Sequence, residues 1–277
     1  MHYNTHGVKT IYSPNPWLHI GISYFTHGNE PVGKKIVDYL LNIYEIEKKI
    51  TAWTLSFIHV NLEASKQKKR YINHNMNRIR NQDFQENSYE HQRKNELLPL
   101  LDTLDILFDI HSTSKPSPCI CITDEQFLTK AKWFFSGEEI WIGDMVKQWA
   151  MISYVTNKWK PWFGIEAGSH NDEQWYQQWV INVLNFLSLY WIIQEPLHNI
   201  HYKKIYRFLD EIFCTQTPFQ YAKDFVWICS VLPWAIIADD GKNIIRNHYT
   251  EPNIYFWLAT NNPIPWDWAG FFFEQIE

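Results

Sequence analysis

Thr26-His27-Gly28-Asn29-Glu30 sets an imidazole and a carboxylate three residues apart on a turn opened by glycine. Both side chains can point into one pocket as a borderline nitrogen ligand and a hard oxygen ligand, a pairing that suits zinc. Alone, H-x-x-E is a weak pattern that surface polar pairs also satisfy. A second imidazole stands in Asp109-Ile110-His111-Ser112-Thr113-Ser114, and a further acid in Gly164-Ile165-Glu166-Ala167-Gly168. A carboxylate emerging from an apolar strand is costly to desolvate unless it is paired, near a metal or protonated, so Glu166 is the candidate general base. Arg70, Asn77 and Arg78 lie in a polar stretch and suit a planar anion such as a substrate carboxylate. Asp109, two residues before His111, either orients that ring or caps a neighbouring turn.

These groups need elements to bring them together. Leu18–Phe25 is an apolar run that reads as a buried strand ending just before His27, and 34–49 has apolar residues at helical spacing. Trp53–Val60 is a second strand, Leu104–Ile110 a third that delivers His111, and Trp162–Ile165 a fourth that presents Glu166. In open α/β sheets ligands gather at the carboxyl ends of strands, so His27, Glu30 and His111 can converge without being neighbours in sequence. The basic run Lys66–Arg70 reads as a solvated face leading into a long loop. A helix over 88–101 is expected to be interrupted near its end by Pro99. The longest helical pattern runs over 172–193, with Ser169 or Asn171 as its cap. Trp133, Trp141, Trp149 and Trp159 are read as core. After Glu195-Pro196 the texture changes to short β pieces around the turn Asp239-Asp240-Gly241-Lys242 and the closing Phe271-Phe272-Phe273. The division expected is a catalytic domain over 1–195 and a small β-rich domain over 196–277.

Composition narrows the class. The chain has 277 residues, 45% hydrophobic and 20% charged, enough for a folded protein with a large core. A formal net charge of -5 offers nucleic acid or an anionic membrane no bulk attraction. Four scattered cysteines make no disulfide framework and fit a reducing cytoplasm. Cys119-x-Cys121 reads as packing before thiolate chemistry. No run reaches membrane-spanning length and the first residues do not form a signal peptide. Fifteen tryptophans spread through the chain read as core filling.

Taken together, Thr26–Glu30, Arg70-Tyr71-Ile72 with Asn77-Arg78, Ser88-Tyr89-Glu90, Asp109–Ser114, Gly164–Gly168 and the Ala238–Lys242 hairpin resemble the succinylglutamate desuccinylase and aspartoacylase family, within the zinc-carboxypeptidase-like hydrolases. The order and rough spacing agree over nearly the whole chain. The resemblance implies an α/β fold: a mixed-sheet zinc-carboxypeptidase-like domain flanked by helices, with a small C-terminal β domain. It implies one zinc ion per chain held by His27, Glu30 and His111, with Glu166 as general base. Arg70 would polarise the scissile carbonyl, and Asn77 and Arg78 would hold the substrate carboxylate. Two features depart from the family. The aspartoacylase arginine about ten residues before the catalytic glutamate has only Lys158 and Lys160 in its place, and Trp266-Asp267-Trp268 stands near the family's tail tyrosine.

The activity implied is hydrolysis of the amide of an N-acyl amino acid or related small amide. The runner-up is a metallocarboxypeptidase trimming a peptide C-terminus, and the third reading is a non-catalytic binding protein. The partners expected are a small N-acyl amino acid or short peptide, with no nucleic acid and no membrane; a homo-oligomer is left open.

Overall fold

The computed structural model describes residues 5–78, 86–113, 117–143, 154–155, 160–170, 173–198, 200–215, 217–225, 228–258 and 268–277. Ser114, Trp149, Lys158, Trp159, Asn171 and 261–267 lie outside these. The chain divides into two compact units, one over 1–140 and 146–203, the other over 141–145 and 204–277. Strands up to residue 169 are β1 (Val8–Tyr12), β2 (His19–Tyr24), β3 (Thr54–His59), β4 (Ile106–Thr113), β5 (Cys119–Thr123), β6 (Glu139–Ile142) and β7 (Trp162–Ser169). The helices are α1 (Val32–Asn42), α2 (Leu62–Lys66), α3 (Tyr89–Thr103), α4 (Leu128–Phe134) and α5 (Glu173–Leu189).

In the first unit the strand order is β1-β3-β2-β4-β7-β5. β2 pairs in parallel with both β3 and β4, and β4 in parallel with β7. β1 and β5 are antiparallel to their neighbours, so the sheet is mixed. Parallel strands buried on both faces are near-continuously apolar, as in β2, β3 and β4. On one face Leu97, Leu100, Leu101 and Leu104 pack with Ile58, Val60, Leu107 and Trp162. On the other, Phe108, Phe134, Phe163 and Phe186 form a ring cluster with centroids 4.6 to 6.0 Å apart.

Three local expectations are corrected. α3 runs through Pro99 to Thr103 without interruption. An interior proline costs a helix about 3 kcal/mol. The fully buried Leu97, Leu100 and Leu101 each return about 1.5–3 kcal/mol, so packing outweighs the break. α1 ends at Asn42, short of the expected 49, because Glu45 turns left-handed at φ 54 and redirects the chain to bury Ile46. Trp133 is 54% exposed and not core, while Trp141 is buried as expected.

The second unit contains β8 (Lys204–Phe213), β9 (Gln220–Tyr221), β10 (Ile228–Ser230), β11 (Ile236–Asp239), β12 (Ile244–Arg246), β13 (Ile254–Leu258) and β14 (Trp268–Gln275). β8-β14-β13-β10 is an antiparallel run, and β12-β11-β9 a small sheet. The β11–β12 hairpin turns at Gly241, with φ 85, while Asp240 Oδ1 accepts the Lys242 and Asn243 N–H groups. Its core is aromatic: Trp141 lies 4.6 Å from Phe273 and 5.2 Å from Trp257, centroid to centroid. Among the described residues no helix is long and apolar enough to cross a membrane.

Candidate metal centre

The backbone turns sharply after β2. Phe25 takes φ 53, and its ring stacks on His59 at 4.9 Å. Gly28 follows in close contact with α2: a Cβ there would sit 2.2 Å from the Ala64 carbonyl carbon and 2.3 Å from the Ser65 nitrogen. Only glycine lets that turn press on backbone, and the turn is what aims His27 and Glu30 inward. α1 starts right behind Glu30, with Pro31 as its cap.

His111 comes from β4, which continues to Thr113 and so holds the ring inside the strand. Successive side chains alternate faces, so Asp109 and His111 share one face. Glu166, on β7, pairs in register with His111 and lies beside it on that face. Strand register therefore unites residues more than fifty positions apart.

His27, Glu30 and His111 are 3%, 3% and 7% exposed, and one ligating atom from each lies within 4.8 Å of the other two. Nδ1 of His27 is 2.7 Å from Glu30 Oε1, and Nδ1 of His111 is 2.9 Å from Oε2. Both rings spend Nε2 outward: His27 on Asn75 Oδ1 at 3.0 Å, His111 on Asp109 Oδ2 at 2.9 Å. Asp109 is itself fixed, accepting from the Ser23 and Thr26 hydroxyls. It therefore orients the ring, the first of the two roles open to it.

A count of donors tests whether these residues suit a metal ion. Asn75 Oδ1 also accepts the Asn77 N–H, which marks it as the carbonyl end, so His27 Nε2 carries a proton. Burial, then the nearby Arg70 charge, lower the His27 pKa to about 4, so a proton on Nδ1, the nitrogen that faces Glu30, is held weakly. Burial alone would raise Glu30, but the facing His27 and His111 hold it well below the usual carboxylate range. At 2.7 Å from a carboxylate oxygen, His27 Nδ1 shares either a proton or a cation with Glu30. His111 is lowered by burial, but Asp109 and Glu30 outweigh this and raise it well above the ordinary value, so it is a cation bridging two carboxylates. A metal ion would take the place of its Nδ1 proton. The donor set, two nitrogens and a carboxylate with both outer nitrogens held, fits a metal.

Glu166 is half-buried. Desolvation pushes its carboxyl up to about 7, with His111 pulling down and Glu30 pushing up. Arg70 Nη1 lies 3.4 Å from Glu30 Oε1, while half its side chain is exposed. The Arg70 carbonyl accepts the Gly28 N–H, tying the two turns together. Asn77 and Arg78 end a short 3-10 turn, Met76–Arg78, and the Asn77 N–H to Asn75 bond connects that turn to His27.

Two residues without an assigned role hold this arrangement. Glu90, fully buried on α3, accepts the Ile72, Asn73 and His74 N–H groups, so 72–74 form a braced arch, while 67–71 are exposed as the basic run suggested. Asn75 supports His27. Glu90 stands in the Ser88-Tyr89-Glu90 motif, which marks the position without its task; nothing in the spacing singles out Asn75. Lys160 is not at the centre. It donates to the Asp102 and Leu104 carbonyls at the end of α3, before β7 begins. Cys119 and Cys121 are buried free thiols whose pKa values burial pushes up, so they serve packing.

Residues 21–134 match the family model described as the Succinylglutamate desuccinylase/Aspartoacylase catalytic domain. The matched segment contains every residue of the centre except Glu166, which β7 supplies. Solved structures carry the fold further. Succinylglutamate desuccinylase from Vibrio parahaemolyticus is similar with a TM-score of 0.80 at 17% identity, over 98% of this chain and 86% of that one. The Rhodobacter sphaeroides succinylglutamate desuccinylase/aspartoacylase gives 0.69 at 13%, over 100% and 98%. The product-bound ectoine utilization protein EutE from Ruegeria pomeroyi gives 0.67 at 13%, over 96% and 88%. The α/β mixed-sheet fold with C-terminal strands is that of these desuccinylase-like structures. No curated protein matches the chain in sequence.

Proposed function

We propose that the chain is a zinc-dependent amidohydrolase that removes the acyl group from an N-acyl amino acid or related small amide. One observation carries this reading: His27, Glu30 and His111 face one point, and Glu166 stands beside His111 in register. The family match supports a desuccinylase/aspartoacylase-type deacylase. His27, Glu30 and His111 would hold one zinc ion, which when bound supplies Lewis acidity toward water and the amide carbonyl.

The chain's own groups do the rest. Glu166 takes the proton of the attacking water and returns it to the leaving nitrogen; a carboxyl at about 7 suits both transfers near neutrality. Arg70, half-exposed at the rim of the centre, faces the oxygen where negative charge develops, a contribution of roughly 3 kcal/mol per such donor. Asn77 and Arg78 hold the carboxylate of the amino-acid portion, with the arch braced by Glu90 setting their position. All these residues fall within 1–195, which we take as the catalytic domain, leaving 196–277 as the small β-rich domain. The four free cysteines support a reducing compartment such as the cytoplasm.

The test is a screen of zinc-loaded protein against N-acyl amino acids and short peptides, with Glu166→Gln in parallel. Turnover of the former, lost at least a thousandfold in Glu166→Gln with zinc retained, is the expected outcome. Turnover of peptides alone makes the protein a carboxypeptidase, and full activity in Glu166→Gln removes that residue from the base role.

A further inference from the structure

His170 follows β7, four residues beyond Glu166, and neither the ligand set nor the proton transfers use it. Its N–H donates to the Thr113 carbonyl, and its Nδ1 lies 2.8 Å from Ser112 Oγ. Ser112 is the residue after His111, and its own N–H reaches Glu30 Oε2 at 3.3 Å. His170 is thus two short links from the metal ligands, on the β4–β7 side. The arch with Arg70, Asn77 and Arg78 is joined to the centre through His27 and Glu30 instead.

The protons on this ring can be assigned. Ser112 is buried, and its hydroxyl has no other partner among the described residues, so it donates to Nδ1. A neutral imidazole accepting at Nδ1 carries its hydrogen on Nε2. Burial, with Arg70 acting in the same direction against Glu30, lowers the His170 pKa and keeps the ring neutral. Nε2 is buried and has no partner among the described residues. An N–H left unpaired out of water is costly, and such a group beside a reaction centre is explained by an acceptor that arrives with the ligand.

We propose that His170 Nε2–H is a specificity-determining donor for an oxygen carried on the acyl portion of the substrate. This rests on the deacylase reading: with the amino-acid carboxylate held by Asn77 and Arg78, the acyl chain extends to the β4–β7 side. A neutral, fixed donor selects a carbonyl, hydroxyl or carboxylate oxygen over a methyl group of equal size, because an isostere without the oxygen leaves the N–H unpaired.

Two isosteric acyl pairs on one amino acid probe this: 4-oxopentanoyl against 4-methylpentanoyl, and 3-oxobutanoyl against 3-methylbutanoyl. Dissociation constants are measured by calorimetry on zinc-loaded Glu166→Gln protein, where turnover does not intervene, and kcat/KM on the parent enzyme. At one of the two lengths the oxygen-bearing ligand should bind at least tenfold more tightly. His170→Phe should abolish that preference, with His170→Leu as a smaller second variant, while His170→Gln, whose amide can still donate, keeps part of it. No preference at either length, or a preference that survives in His170→Phe or His170→Leu, overturns the proposal. If the parent enzyme turns over none of these compounds while the binding preference still follows His170, the assignment of His170 stands and the deacylase reading falls.

Discussion

β4 and β7 carry Asp109, His111 and Glu166 on one face, whereas β13 and β14 carry Phe256, Trp257, Phe271, Phe272 and Phe273. In the first unit Ser23, Thr26, His27, Glu30, Asn61, Glu90, Arg93, Asp109, His111 and Ser112 are all buried, and each has a hydrogen-bond partner. In the second, only Asp240 and Asn247 are buried and polar among the described residues; Asn247 bonds nearby backbone, and Asp240 accepts from nearby backbone and from the Thr215 and Asn243 side chains. Burying a ring stabilises directly; burying an ion does so only if partners replace its water. The first unit carries that cost, much of it around His27, Glu30 and His111, where local packing rules yield to chemistry, and the second carries almost none among the described residues.

If that contrast is sound, substitutions in the two units should fail in different ways. Glu90→Ala should be the most damaging, since it strips acceptors from three backbone N–H groups of the arch and from Asn61. A loss of about 3–5 kcal/mol is expected from these orphaned donors. Denaturant unfolding measures it, and hydrogen exchange should localise the loosening to 72–74. Phe256→Ala should cost about 3–4 kcal/mol by opening a cavity under Phe225 and Phe272. Zinc affinity should be unchanged in the folded fraction, so a variant that also lost zinc would erase the distinction between the units. Asp109→Asn should change stability less and metal binding more, with affinity falling roughly 10–100-fold as the His111 ring loses its anionic partner. Competition with a chromophoric chelator reads that change.

Much of the centre was legible because its residues announce themselves: an imidazole or acid at the end of an apolar run has few inexpensive explanations. His27, Glu30, His111 and Glu166 stand out in this way, and β2, β3 and β4 fall where apolar runs place them. The supports are harder to read. Asn75 acts through an Asn77 backbone N–H that only the folded turn supplies, and Glu90 acts on backbone groups that carry no residue type. Whether Lys160 stands in for the family's missing arginine was open from the sequence; it caps α3 instead, because a run of 160–166 in extended chain carries the lysine to the opposite end of β7. β1 and β8 escaped notice for a common reason. Val8-Lys9-Thr10-Ile11-Tyr12 and Lys204–Phe213 intersperse charged and half-buried residues and lack a continuous apolar run. The turn at Asp239–Lys242 was plain because Asp and Gly have specific roles in tight turns.

The central claim is that two imidazoles and one carboxylate meet around a single cation. Elemental analysis after dialysis tests it most directly, comparing zinc-loaded parent protein with His27→Ala and His111→Ala. The account predicts one zinc per chain in the parent and none retained in either variant while both stay folded by circular dichroism. A parent that takes up no zinc, or folded variants that keep it, would contradict the account.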